Sequence, residues 1–195
     1  CWSKQGHGRV GLLDAIAQSC DVFFYEIALK TGINNIAKIS REFGLGAPTG
    51  LNLPGEKGGL IPDRDWKLKA KQKVWRPGET IIAGIGQGYV LVTPMQLALM
   101  TARIANGGKK ITPTLLKPSK KLSSNIANAK VSKANLKIIK KAMEKVTLDE
   151  FGTGRSFRLG IRGVEMAGKT GTVQVRRIST KERESTEGVI KNENR

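Results

Sequence analysis

The chain has 195 residues, 39% of them hydrophobic, and carries 34 lysines and arginines against 16 acidic residues, a net charge of +18. That is enough length and apolar content to bury the core of one domain or most of one. No apolar run reaches the roughly 20 residues that a membrane helix needs, and aromatics at 5% are too sparse to build nucleic-acid stacking platforms. The basic residues are spread along the chain, and no helix-turn-helix core, zinc-finger spacing or ribonucleoprotein aromatic motif accompanies them, so a nucleic-acid partner is not expected. The charge suits an acidic polymer or anionic lipid headgroups.

The first apolar segments, LLDAIAQS at 12–19 and VFFYEIALK at 22–30, read as two helices meeting near Ser19. Gly32 suits the left-handed αL position that would end the second. A third helix over 35–43 stops at Gly44, and residues 44–65, with six glycines and three prolines, read as loops with short strands. The stretch GIGQG at 84–88 lacks the helix that must follow a phosphate-binding glycine turn directly, because 89–93 intervene, so its glycines serve a close backbone approach instead. Thr93-Pro94 is a helix cap followed by proline at the first helical position, opening a helix that runs to Asn106-Gly107. Another helix spans 133–146, with Leu136, Ile139, Ala142, Met143 and Val146 on one face.

Residues 165–176, EMAGKTGTVQVR, alternate β-branched and other residues and read as a strand. In a strand Thr170 and Thr172 share one face, about 7 Å apart, beside the Lys169 ammonium. Such an edge suits a carboxylate, and Gly171 lets a ligand backbone approach closely. A solvated edge strand whose lysine blocks aggregation has the same pattern. Helices flanking a late strand make this an α/β or α+β domain.

Lys169-Thr170-Gly171 has a partner far upstream, Ser19-Cys20-Asp21, which sits at a helix junction where a hydroxyl can project into a cleft. Ser-x-Asn/Asp followed by Lys-Thr-Gly is the arrangement of the active-site-serine, penicillin-interacting enzymes. Four stretches, GHGRVGLLDAIAQSCDVFFYEIALKTGI, APTGLNLPGE, GIGQGYVLVTPMQLA and AGKTGTVQV, together resemble in order the penicillin-binding protein 2 family of elongation-specific class B peptidoglycan transpeptidases. The resemblance covers residues 1–175 and implies a serine β-lactamase-like fold, with helices around an antiparallel sheet. It also implies a third element, Ser-x-x-Lys, which supplies the nucleophile. None of the serines here has a lysine three positions later. The expectation is therefore an interior fragment of a transpeptidase domain, truncated at both ends and inactive alone, with 176–195 a charged, flexible segment too poor in aliphatics to order itself.

By resemblance, Ser19 relays a proton toward the leaving amine, Asp21 orients a substrate amide, and Lys169 supplies positive charge within the same proton network. The Thr172 N–H would be one oxyanion donor, and the Thr170 and Thr172 hydroxyls would hold the terminal carboxylate of a peptidoglycan stem peptide or a β-lactam. The parent protein would lie on the periplasmic side of a bacterial inner membrane, working with an elongation glycosyltransferase and the cell-shape complex. The alternative from another class is a noncatalytic remnant that acts as a binding or scaffold module through its basic surface.

Both cysteines and the one histidine fall within the first 20 residues, as Cys1-x5-His7-x12-Cys20. Thiolates and a neutral imidazole could fill three of the four tetrahedral positions of a structural zinc. The family resemblance carries the same pattern, with an upstream aspartate as the remaining ligand. A Cys1–Cys20 disulfide and three unrelated residues are the other readings.

Overall fold

The computed structural model describes residues 1–51, 53–116 and 126–173. Among these residues the chain forms seven α-helices and one short 3-10 turn. They are α1 (Leu12–Ala17), α2 (Asp21–Thr31), α3 (Ile33–Glu42), α4 (Arg64–Lys71), α5 (Pro77–Gly84), α6 (Pro94–Ala105), α7 (Lys133–Leu148) and the turn Arg155–Phe157.

Caps set most of the helix starts. The Thr93 hydroxyl accepts from the Gln96 N–H at 3.2 Å, and the Gln96 side chain accepts from the Thr93 N–H at 3.0 Å, a reciprocal cap that opens α6 behind Pro94. Gln96 is wholly buried, and its amide also donates to the carbonyls of Ala47 and Gly58, each at 2.7 Å. One side chain thus starts a helix and fastens the glycine-rich loop beneath it. The sequence reading assigns no element over 66–84 and reads 44–65 as loops with short strands, yet α4 begins at Arg64, inside that stretch, and α5 follows it. Asp63 accepts from the Trp66 N–H at 2.8 Å to open α4, while Pro77 at the first turn and Glu79, accepting from the Arg76 N–H at 2.8 Å, open α5. Gly84 then lets α5 lie against α2, because a Cβ there would stand 2.4 Å from the Ala28 Cβ.

Helix α7 runs through both parts of the core. Its Leu136 packs with Phe43, Ala129, Met100 and Ile104, at the junction of α3 and α6. One to three turns on, Ile139, Ala142 and Val146 pack against Leu13 and Ile16 of α1 and Phe24 of α2. Lys145 adds ion pairs to Asp14 at 2.6 Å and to Asp149 at 3.1 Å. The apolar spacing read from the sequence therefore identifies the buried face of α7 correctly.

Two expectations change. Gly32 has positive φ (76°), but its ψ of 149° lies outside the αL region. It caps α2 and opens α3 at once, so the chain must turn directly into a new helix instead of closing the old one. The strand read over 165–176 has no ladder among the described residues, where the only β-pairings are isolated antiparallel bridges, Leu60 to Leu91 and Lys109 to Asn128. Alternation says how a segment would pair if a neighbour lay beside it, whereas the backbone of 165–173 is held by α7 and by a side chain instead. Residues 174–195, including most of the charged segment 176–195, lie outside the described residues.

Candidate active site

The turn between α1 and α2 carries Ser19. Ala15, Ile16 and Ala17 are buried on one side of it and Cys20 on the other, and the Cys20 N–H donates to the Ala15 carbonyl at 2.9 Å. So few residues cannot join two buried anchors without a sharp reversal, and Ser19 adopts a left-handed φ of 53°. That conformation costs a non-glycine residue roughly 1–2 kcal/mol. It aims the hydroxyl away from the core and toward the segment that holds Lys169.

That segment is pinned to α7. The Gly168 N–H donates to the Met143 carbonyl at 3.1 Å, and the buried Thr147 hydroxyl donates to the Met166 carbonyl. Lys169 Nζ then reaches three oxygens: Ser19 Oγ at 2.9 Å, the Thr170 carbonyl at 3.1 Å and Thr170 Oγ1 at 3.2 Å. An ammonium has three protons, so all are used. Loss of hydration around the amine lowers the Lys169 pKa from its ordinary value, and the negative charge of Asp21 opposes that shift. The result is an amine held close to a serine hydroxyl and biased toward giving up a proton.

Of the residues singled out from sequence, Ser19, Lys169 and Thr170 meet through side chains, and Asp21 acts on Lys169 through its charge. The two threonines do not face the same surroundings. Thr170 turns inward to Thr153 Oγ1 at 2.9 Å, while Thr172 is exposed and its carbonyl accepts from Gln87 Nε2 at 3.3 Å. Sequence reading finds neither Thr153, Thr147 nor Gln87. Gln87 lies in the GIGQG stretch whose glycines were expected to permit a close backbone approach, and it is the glutamine side chain that makes the contact. No local signal marks Thr153 or Thr147.

Beside the Ser19 turn, Cys1, His7 and Cys20 place one ligand atom each within 4.8 Å of the others. Cys1 Sγ lies 3.3 Å from His7 Nδ1, the sulfurs are not bonded to one another, and His7 Nε2 is buried without a partner. Around a tetrahedral zinc the sulfur-to-nitrogen edge is about 3.5 Å and the sulfur-to-sulfur edge about 3.8 Å. The group therefore fits after a contraction of about 1 Å at its widest, and binding through either ring nitrogen leaves the other as a donor. Trp2 holds the segment in place, with its indole N–H donating to the Gln18 carbonyl at 2.9 Å and its ring edge-on to His7 at 5.2 Å.

Comparison with known proteins covers almost the whole chain. Residues 1–194 match the family model "Penicillin binding protein transpeptidase domain". The chain is 38% identical over 184 residues to the peptidoglycan D,D-transpeptidase MrdA of Acinetobacter baumannii, covering 91% of the chain and 27% of that protein. It superposes on the penicillin-binding protein PBP2 of Helicobacter pylori with a TM-score of 0.82 at 39% identity, covering 89% of the chain and 33% of the other. The complex of PBP2 and MreC from Helicobacter pylori gives a TM-score of 0.81 at 39% identity, with coverages of 89% and 32%. The chain spans roughly a quarter to a third of the length of these three proteins. The Ser19-x-Asp21 turn and the Lys169-Thr170-Gly171 segment, joined by the 2.9 Å contact, both fall within the residues that match the family model, and the chain belongs to the penicillin-binding protein transpeptidase family.

Proposed function

We propose that these residues form part of a bacterial peptidoglycan D,D-transpeptidase of the cell-elongation type, which cross-links stem peptides through a serine acyl-enzyme and is acylated by β-lactams. The observation that carries this reading is the 2.9 Å contact between Lys169 Nζ and Ser19 Oγ, which gives the two motifs one shared proton network. The acylated hydroxyl comes from outside these 195 residues, since no serine here has a lysine one helical turn later. When that serine, its proton taken by the lysine of the same Ser-x-x-Lys element, attacks the peptide carbonyl, the carbon–nitrogen bond breaks, Ser19 delivers a proton to the leaving amine and Lys169 replenishes Ser19. The Thr172 N–H faces the developing oxyanion, and Asp21 orients the substrate amide.

The full-length protein would act on the periplasmic face of the inner membrane. Among the described residues no helix is long and apolar enough to cross a membrane. The complex of the Helicobacter pylori relative with MreC supports a cell-shape partner, beside the glycosyltransferase expected from the family resemblance. A structural zinc held by Cys1, His7 and Cys20 completes the reading. It would tie the segment before α1 to the Ser19 turn through Cys20, supplying stiffness and no step of the chemistry.

Labelling with a fluorescent penicillin tests the proposal. The full-length protein should take up one equivalent, the 195-residue chain none, and Lys169→Ala should slow labelling severely. An adduct on any serine of the 195-residue chain would place the nucleophile elsewhere and overturn the assignment.

A further inference from the structure

Thr153 joins the two halves of the site. It lies between α7 and the turn Arg155–Phe157, flanked by Gly152 and Gly154, which sit so close to the end of α7 that a Cβ on either would meet Val146. Its N–H donates to the Ala17 carbonyl at 3.0 Å, and its hydroxyl lies 3.2 Å from that same oxygen and 2.9 Å from Thr170 Oγ1. Ala17 ends α1, where carbonyls have no partner within the helix, and both donors of Thr153 satisfy it.

These contacts fix the direction of a chain of hydrogen bonds. A carbonyl oxygen can only accept, so both contacts of the Thr153 hydroxyl are hydrogen bonds at once only when its single proton goes to Ala17. The contact between the threonines is then a hydrogen bond only if Thr170 donates to Thr153. That commits the Thr170 proton, and Thr170 Oγ1 can only accept from Lys169. The remaining partners of Lys169 are the Thr170 carbonyl, which has no proton, and the Ser19 hydroxyl, which has one.

Resting on the transpeptidase reading above, we propose that Thr153 is a positioning residue whose hydroxyl commits the Thr170 proton inward and so leaves Ser19 as the one partner able to exchange a proton with Lys169. The step balances. Ser19 gives its hydroxyl proton to the leaving amine and takes one from the Lys169 ammonium along the 2.9 Å contact. The neutral lysine keeps two protons for the two Thr170 oxygens and turns its lone pair to Ser19. Without the Thr153 hydroxyl, the Thr170 proton is free to point at that lone pair and compete with Ser19. A second consequence is a division of labour. With its proton committed, Thr170 acts on Lys169, and the hydroxyl donor to the substrate carboxylate is the exposed Thr172.

The test uses full-length protein and the rate constant for acylation by a fluorescent penicillin, measured across pH and scored per folded molecule. Asp21 is the charged group whose field reaches Lys169 among the described residues, and it is left unchanged. Thr153→Ala keeps the backbone bond to Ala17 but loses the hydroxyl, and it should acylate roughly tenfold more slowly with a displaced pH profile, as expected for a disturbed general acid–base pair. Thr153→Ser should restore both. If the alanine variant fails to fold, Thr153→Val preserves the volume and carries the same expectation. Acylation of the hydroxyl-free variant at the parental rate, slowing without any change in the pH profile, or a serine variant as slow as alanine would each overturn the assignment. Parental protein that takes no label would instead sink the transpeptidase reading on which it rests.

Discussion

Lys169 Nζ donates to Ser19 Oγ at 2.9 Å across 150 residues of sequence, and α7 is the element that holds both ends. Ser19 is fixed through α1, whose Ile16 packs on Ala142 and Val146, and Lys169 is fixed through the Gly168 N–H, which donates to the Met143 carbonyl, and the Met166 carbonyl, which accepts from the Thr147 hydroxyl. The geometry of the proton pair is thus a packing property of a helix that contributes no side chain to it.

Shortening Val146 is the direct check of that dependence. Val146 is almost fully buried, and Val146→Ala removes two methyl groups, for an expected loss of about 2 kcal/mol in denaturant unfolding. In full-length protein, acylation by penicillin should fall as well, although Val146 is absent from the proton network. A destabilised variant with parental acylation would show that α7 supports the fold without setting the site.

Replacing Lys169 separates activity from stability. Lys169→Met should slow acylation by a factor on the order of 100 or more. Because the folded-state pKa of Lys169 lies below its ordinary value of 10.5, the folded state gives up the proton first as pH rises. The cost of confining the ammonium is therefore greatest below the folded pKa and is relieved as pH climbs from there toward 10.5. The stability advantage of Lys169→Met over the parent should shrink across that window, as followed by urea unfolding at a series of pH values. An advantage that grows with pH would contradict the direction of the shift.

Asp21→Asn should move the same titration. The Asp21 charge raises the Lys169 pKa against the effect of burial, so its removal lets the lysine lose its proton at lower pH. The alkaline fall of the acylation rate, where the Lys169 ammonium is lost, should shift down the pH scale, whatever the change in maximum rate. A shift upward would mean that Asp21 acts through something other than its field.

Lys67 and Glu79 form a second test of electrostatics, far from the chemistry. Lys67 is only 4% exposed, reaches both Glu79 oxygens and lies 5.7 Å from the centre of the Trp75 ring. Burial pushes the Glu79 pKa up, but the bonds from Lys67 and the Arg76 N–H and the two positive charges outweigh it and hold the value below the ordinary 4.5. The stabilisation is present above 4.5 and fades as pH falls through the folded pKa. Glu79→Gln leaves a buried cation without its counter-charge and should cost about 3–5 kcal/mol at neutral pH, whereas Lys67→Met combined with Glu79→Leu should recover most of that loss. Thermal unfolding of the three proteins decides it, and a single variant no worse than the double would reject the pairing.

Zinc content is measured directly by elemental analysis of full-length, untagged protein. The expected result is close to one equivalent, lost on acidification because thiolates and a neutral imidazole are required, and lost in His7→Ala. Metal removal should slow acylation by loosening the Ser19 turn. Absence of zinc after metal-replete purification, or a Cys1–Cys20 disulfide by mass spectrometry, would reject the site.

Much of this was readable in the residues, for identifiable reasons. The apolar spacing of α7 and the Thr93-Pro94 start of α6 depend on neighbours three or four residues apart, and both appear as expected. The capping signals at Asp63 and Pro77 were equally local, but the helices they open are only eight residues long, which leaves an apolar stripe little room to repeat. Ser19, Asp21 and Lys169 were legible because two short motifs recur in order. Thr153, Thr147 and Gln87 were not, because each acts through one long-range hydrogen bond that leaves no pattern around it. Of the strand read over 165–176, the described part, 165–173, forms no ladder for a related reason, since a ladder belongs to two segments and alternation describes one.

The Gln96 amide, by holding the Ala47 and Gly58 carbonyls together, turns the chain between them into a closed excursion with fixed ends. Inside it the Glu56 carboxylate takes both the N–H and the hydroxyl of Thr49, at 2.8 and 2.5 Å, so the excursion is also cinched near its base. Residues beyond that cinch do not transmit their length to α6 or to the helices it packs against. Lengthening such a closed loop costs only about 0.6 kcal/mol per doubling. The tip between Thr49 and Glu56 is therefore where the chain can accept insertions, or a reporter group, while the Ser19 and Lys169 pair keeps its spacing.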